Sequence, residues 1–336
     1  MRKLLNDPFA VVDELVEGIA ASFPAQIELT PSRRGVVART ARARRGIAVV
    51  TGGGSGHEPA FFGYVGPGLA DGAVLGNVFA SPPAAHIAEV ARATERGRGV
   101  LFVYGNYDGD VMNFELASEL LEDSGIRSLH AVVSDDVASA PRDERTRRRG
   151  VAGDVFVLKA AGARADEGAP LAAVRDAAMH MNERTCTLGV ALGPGTVPAA
   201  GTPTFELPEG FMDVGMGVHG EAGLERRPLA PADEVADELV ALLLADLEPA
   251  RSESLYALVN TLGATTALEG FVVLRRVVEQ LRARGIAVHR ARVGEFVTSL
   301  EMAGLSVTLA ALDDELRRLI DAPARGLAAP PLADPW

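Results

Sequence analysis

The sequence contains a single cysteine, Cys186, among its 336 residues. An internal disulfide is therefore excluded, and this usage is typical of a protein kept in a reducing cytosol. No Cys/His cluster has zinc-site spacing, so no metal site is expected on this chain. No apolar run approaches the roughly 18 residues of a membrane-spanning helix, and acidic residues interrupt the N-terminal segment where a signal peptide would be apolar. These absences predict a cytoplasmic protein that does not enter the membrane.

Basic residues are outnumbered in this chain. There are 33 Lys and Arg against 45 Asp and Glu, and the resulting net charge of -12 argues against extended nucleic-acid binding. Hydrophobic residues make up 48% and charged residues 23%, which is ordinary for a folded globular protein. The length exceeds what one hydrophobic core usually supports, so two domains are expected.

The stretch at residues 47–60, IAVVTGGGSGHEPA, is the most informative part of the sequence. Four apolar residues followed by glycines predict a buried parallel strand that ends at the carboxyl edge of a sheet, where ligands bind in open α/β folds. His57 comes directly after the glycines, and is placed either for chemistry or as an ordinary side chain of a tight turn. These residues alone leave both interpretations open.

This glycine-rich loop matches none of the familiar nucleotide or nucleophile motifs. In a G-x-G-x-x-G fingerprint His57 would occupy the third glycine position, and a Walker A loop would need Lys and Ser or Thr where His57 and Glu58 stand. A G-x-S-x-G elbow would also need a glycine at position 57. A stand-alone nucleotide-binding enzyme that uses the loop as a phosphate nest is therefore disfavoured.

Further strands are expected at residues 73–79, 99–104 and 129–133, each followed by a loop and a helical pattern. This alternation predicts an N-terminal α/β domain over residues 1–183. Asp110 falls at a helix start, where a cap and an acid–base group are both plausible. Residues 184–336 predict a second α/β domain with a parallel or mixed sheet, and place His219 at the end of a strand. The basic run at residues 143–150 is expected to be a solvated loop, or else to hold a phosphate or a partner's acidic face.

Several long motifs occur in one order along the chain. They include GGGSGHEPA at 52–60, NYDGDVMNFE at 106–115, TVPAAGTPTFEL at 196–207, GVHGE at 217–221 and TSLEMAGLSVTL at 298–309. In these motifs the sequence resembles the substrate-binding (DhaK-type) subunits of dihydroxyacetone kinases, over nearly its whole length. The resemblance implies a homodimer of two-domain α/β subunits that binds a short ketose such as dihydroxyacetone.

The resemblance also implies roles for individual residues. His219 would bond covalently to the ketone carbon as a hemiaminal, which suits a neutral imidazole and a carbonyl, while His57 and Asp110 would act on the hydroxyls of the sugar. The phosphate donor site would lie on a separate helical nucleotide-binding (DhaL-type) subunit that binds Mg-ATP or Mg-ADP, and this chain would carry no cofactor. The positions implied to hold the ligand are Gly53, Gly54, Ser81 and Gly105.

One departure from the family pattern concerns the substrate. Gly105 stands where the family often has a lysine that contacts the ligand, and Phe61 and Phe62 follow the GHEPA motif where smaller or polar residues are usual. A larger ketose such as erythrulose is therefore an alternative to dihydroxyacetone. A second alternative is a non-catalytic ketose sensor or coactivator that keeps His219, although the presence of both His57 and Asp110 favours a kinase subunit.

Overall fold

The computed structural model describes residues 3–41 and 46–332. It contains two six-stranded sheets flanked by helices, which confirms the predicted α/β class. None of the helices in these ranges combines the length and the apolar character needed to cross a bilayer.

The first sheet has the strand order β1-β2-β4-β3-β5-β6, in which the last four strands run parallel and β1 and β2 pair antiparallel at one edge. Every residue of β3 and β5 is buried, because neighbouring strands lie on both sides and helices cover both faces. The elements of this half are α1 (Val11–Ser22), β1 (Ile27–Leu29), β2 (Gly35–Ala38), β3 (Ala48–Ser55), β4 (Gly72–Val78), α2 (Ala84–Thr94), β5 (Val100–Gly105), α3 (Asp108–Glu122), β6 (Ser128–Val133), α4 (Asp154–Asp166) and α5 (Leu171–Glu183).

The second sheet has the order β11-β10-β12-β7-β8-β9 and is mixed: β10 and β11 run parallel, and the other pairs are antiparallel. Its elements are β7 (Thr185–Gly193), β8 (Phe211–Val214), β9 (Glu225–Pro228), α6 (Ala232–Leu247), β10 (Ser254–Thr261), α7 (Ala267–Ala283), β11 (Val288–Gly294), β12 (Ala303–Leu312) and α8 (Asp314–Asp321).

One apolar core connects the two sheets. Phe156 of α4 packs edge-on against Tyr256 of β10, with ring centroids 4.9 Å apart, and both rings are fully buried. Side chains of β3 and β5 belong to the same cluster. The boundary at residue 183 between two domains stays a prediction, although all strands of the first sheet precede it and all strands of the second follow it.

Two local expectations differ from the structure. The sequence predicts that α1 starts at residues 6–8, but these form a turn in which Asp7 accepts the backbone N–H of Ala10, and the helix begins at Val11. The strand expected to reach His219 ends at Val214, because Gly215 has a φ of 81° and leaves the extended conformation. His219 therefore lies in a turn beyond the strand.

The basic run at residues 143–150 is not a solvated loop throughout. Arg148 is buried and forms two hydrogen bonds with the carboxylate of Asp246, at 2.8 and 2.6 Å. Arg149 donates from Nε to Asp136 Oδ2 at 2.7 Å. The acidic groups that these arginines meet therefore belong to their own chain.

Candidate active site

His57 is held at the junction of the two halves of the molecule. Its Nδ1 lies 2.7 Å from the backbone oxygen of Thr298, and its own backbone oxygen accepts from Thr298 N at 3.2 Å. The preceding loop needs glycine, because a Cβ on Gly54 would lie 2.7 Å from the backbone nitrogen of Ala80. The close approach of these two segments brings the imidazole to the edge of the first sheet.

His219 enters the same place from the second half. Its Nδ1 lies 3.0 Å from Glu221 Oε1, and its backbone N–H donates to Glu221 Oε2 at 2.9 Å. Burial opposes ionisation of Glu221, but hydrogen bonds from His219 and its charge outweigh burial and lower the pKa of the carboxyl to about 2. Arg149 Nη1 stands 3.8 Å from the same carboxylate. His219 is thus oriented by an ionised carboxylate.

The two imidazoles meet directly, with His57 Nε2 and His219 Nε2 3.0 Å apart. The oxygens of Thr298 and Glu221 can only accept, so each Nδ1 carries a proton, and the contact between the Nε2 atoms requires one more. A proton shared between the two Nε2 atoms satisfies this contact and gives the pair a single positive charge. Burial, followed by the charge of His219, lowers the pKa of His57 to about 3.

Aromatic rings fix the orientation of the pair. Phe79 stacks on His57 with centroids 4.9 Å apart and meets His219 edge-on at 4.8 Å, while Tyr107 meets His219 edge-on at 5.1 Å. Phe79 adopts a φ of 56°, which is costly for a residue with a side chain and is concentrated at functional sites in proteins. The backbone strain at Phe79 is consistent with a site that is held in place before a ligand arrives.

Asp110 lies in the first turn of α3 and lines the same cavity as the two imidazoles. Burial raises the pKa of its carboxyl to about 6, against smaller lowering effects of Ser81 and His219. Ser81 Oγ approaches the carboxylate without a hydrogen bond of normal geometry. A carboxylate with this pKa can accept a proton near neutral pH, which is a role beyond a helix cap.

The cavity has a volume of about 180 Å³ and brings together nearly all the residues singled out in the sequence. Gly53 is the exception, because the ring of Phe61 covers its Cα and it does not border the cavity. No group of three or more His, Cys, Asp or Glu side chains within the described ranges is arranged to hold a metal ion. The predicted residues that border the cavity are His57, Gly54, Ser81, Gly105, Asp110 and His219.

Several site residues escape the sequence-based prediction. Glu221 stands two positions after His219 in the GVHGE motif, and this spacing could have indicated it. Arg149 and Phe79 carry no such signal, because their contacts depend on residues far away in the chain. Tyr107 lies within the motif that contains Asp110, but nothing in the sequence indicates that its ring lies against His219.

The sequence also matches a known protein family. The Dak1 domain model matches residues 17–328. The chain belongs to the Dak1 domain family. The resemblance inferred from the sequence motifs is therefore confirmed.

The similar proteins include ketose kinases, a kinase subunit and an operon co-activator. The chain is 41% identical to the dihydroxyacetone-binding subunit DhaK of the PTS-dependent dihydroxyacetone kinase 2 of Listeria innocua, over 96% of this chain and 97% of that one. It is 47% identical to the L-erythrulose kinase of Pectobacterium atrosepticum over 96% of its length, but spans only 55% of that relative. The crystallised dihydroxyacetone kinase operon co-activator Dha-DhaQ has a TM-score of 0.88 and 31% identity, covering 94% of this chain and 97% of that one.

Proposed function

We propose that this chain is the ketose-binding subunit of a dihydroxyacetone-type kinase. The observation that carries the proposal is the direct contact between His57 and His219 at a cavity that Asp110 also lines. One imidazole is placed to attack a carbonyl, the second to move a proton, and the carboxylate to deprotonate an alcohol. The family membership supports the same assignment.

The hemiaminal on His219 belongs to this proposal. The shared proton moves to His57 Nε2 and frees the Nε2 lone pair of His219, which forms a bond to the ketone carbon. The carbonyl π pair moves onto the oxygen, and His57 returns the proton to that oxygen. The positive charge then remains on the His219 ring, next to the Glu221 carboxylate. Polyols lack the carbonyl and cannot form this bond, so covalency selects ketoses.

Transfer requires a terminal hydroxyl that is held in line and loses its proton. Asp110 is the base for this hydroxyl, and covalent attachment at His219 holds the substrate in place. The phosphoryl donor site is proposed to lie on a helical nucleotide-binding partner subunit, which carries Mg-ATP or Mg-ADP. Assembly as a homodimer and a cytoplasmic location are further parts of the proposal.

The test is phosphorylation of dihydroxyacetone by this chain mixed with candidate helical subunits and ATP. Asp110→Asn should retain the ketose adduct, detected by intact-protein mass spectrometry, and lose transfer. The matched control is Asp108→Asn, an exposed carboxylate one half-turn earlier in α3, which should leave both unchanged. Normal turnover of Asp110→Asn would remove this residue from the mechanism.

A ketose sensor or coactivator is the second candidate, because the co-activator Dha-DhaQ has a closely similar fold. The half-buried Asp110, with its raised pKa, argues for catalysis, since a protein that only binds needs no base at the hydroxyl. Adduct formation without phosphorylation by any partner subunit would favour the sensor.

A further inference from the structure

Four side-chain oxygens that border or face the cavity are buried without a hydrogen-bond partner among the described residues. Such groups are rare in folded proteins and call for an explanation, such as a ligand. Two of them, Ser81 Oγ and Asp110 Oδ1, lie where the proposed mechanism places the reacting hydroxyl. The other two, Tyr107 OH and Asp154 Oδ1, take no part in that mechanism.

Gly105 leaves room for the ring of Tyr107. A Cβ at Gly105 would lie 3.2 Å from the oxygen of Gly150 and 3.3 Å from Cε2 of Tyr107, closer than side chains normally pack. Glycine at position 105 therefore lets the tyrosine ring lie alongside the main chain, 5.1 Å from the His219 ring. A ketose attached to His219 would have this phenol beside it.

Asp154 stands in the first turn of α4 and lines the same cavity. Burial, with added repulsion from Asp135 and Asp110, raises the pKa of its carboxyl well above the ordinary range, and burial likewise raises that of Tyr107. The Tyr107 hydroxyl can donate or accept a hydrogen bond, and Asp154 Oδ1 can accept one from a hydroxyl group. A phenol and a carboxyl oxygen beside further acidic residues suit hydroxyl groups and disfavour an anionic ligand.

We propose that Tyr107 and Asp154 form a diol subsite that selects four-carbon ketoses over dihydroxyacetone. This inference rests on the proposed function, because it places the ketone on His219 and one hydroxymethyl arm at Asp110. The second arm of dihydroxyacetone carries one hydroxyl, which would have to bridge the two oxygens. The second arm of erythrulose, 1,3,4-trihydroxybutan-2-one, carries two adjacent hydroxyls and can satisfy both. The hydroxyl presented for phosphorylation is then the one on C1.

The test is calorimetric titration of the full chain with dihydroxyacetone and with both enantiomers of erythrulose. The readout is the ratio of the dissociation constant for dihydroxyacetone to that for the better enantiomer, because comparing this ratio between variants cancels the intrinsic reactivity of each carbonyl. Tyr107→Phe and Asp154→Ala should each lower the ratio by about tenfold, which corresponds to one lost hydrogen bond in a buried site. Asp154→Asn keeps an acceptor oxygen at this position and should restore most of the ratio. Asp143→Ala, an exposed aspartate outside the cavity, is the control.

A further probe needs no variant. The four-carbon ketone 1-hydroxybutan-2-one has the same carbon chain but lacks both hydroxyls of the diol arm, and it should bind the unaltered protein more weakly than erythrulose does. Equal binding of the two, or variants that weaken dihydroxyacetone and erythrulose alike, would overturn the diol subsite. If dihydroxyacetone forms an adduct but erythrulose binds no more tightly, the diol subsite is rejected while the proposed function stands. Absence of an adduct with any ketose would reject the proposed function as well.

Discussion

Replacement of Glu221 by glutamine tests how the positive charge on His219 is stabilised. The depression of the Glu221 pKa from 4.5 to about 2 corresponds to roughly 3 kcal/mol of interaction that favours the ionised form. The side chain is 35% exposed, and solvent screening reduces this value by about half. In the free protein the charge is shared between two rings, whereas in the adduct it is confined to the ring beside Glu221.

The carboxylate therefore stabilises the adduct more than the free protein. We expect Glu221→Gln to weaken dihydroxyacetone binding by about 1 kcal/mol, or roughly fivefold. Glu225→Gln, an exposed glutamate at the start of β9, is the matched control and should bind normally.

Calorimetry in buffers of different ionisation enthalpy supplies an independent readout. Because the shared proton ends on the hemiaminal oxygen, binding to the unaltered protein should exchange no proton with the buffer. Unchanged affinity in Glu221→Gln, or net proton uptake by the unaltered protein, would refute the assignment of a shared proton and a charged adduct.

Two further predictions concern acid–base behaviour and stability. For phosphorylation, kcat/KM should rise as the pH increases through about 6, where Asp110 loses its proton, and should level off above it; a profile without this step would contradict Asp110 as the base. Arg148→Met should lower the free energy of unfolding by about 3 kcal/mol because it leaves Asp246 without its buried partner. Denaturant titration measures this free energy, and Arg147→Met, at an exposed arginine, is the control. Equal losses of unfolding free energy in the two variants would contradict the structural role of Arg148.

The sequence predicts those parts of the fold that depend on local patterns. The apolar run before the glycines predicts β3, which is buried along its whole length. The short strands β1, β2 and β9 have no comparable signal, because they are too short for a period to show and pair at or near sheet edges. The predicted start of α1 is too early, because a cap-like residue followed by proline is also compatible with the turn around Asp7.

The sequence predicts which residues form the site, but it does not predict which groups they contact. His57, Asp110 and His219 lie in motifs that the resemblance identifies, and the structure brings all three to one cavity. Their orientation depends on partners distant in the chain, such as Thr298 for His57, and no local pattern encodes such a contact. The burial of Arg148 is a similar case, since a run of arginines looks the same whether it meets solvent or a distant aspartate.

The most direct test of the account is a crystal structure of this chain soaked in dihydroxyacetone. The account predicts continuous density from His219 Nε2 to the former carbonyl carbon, with the hemiaminal oxygen near His57 and a terminal hydroxyl at Asp110. A ketose held without a covalent bond, or His219 turned away from the cavity that contains His57 and Asp110, would contradict it.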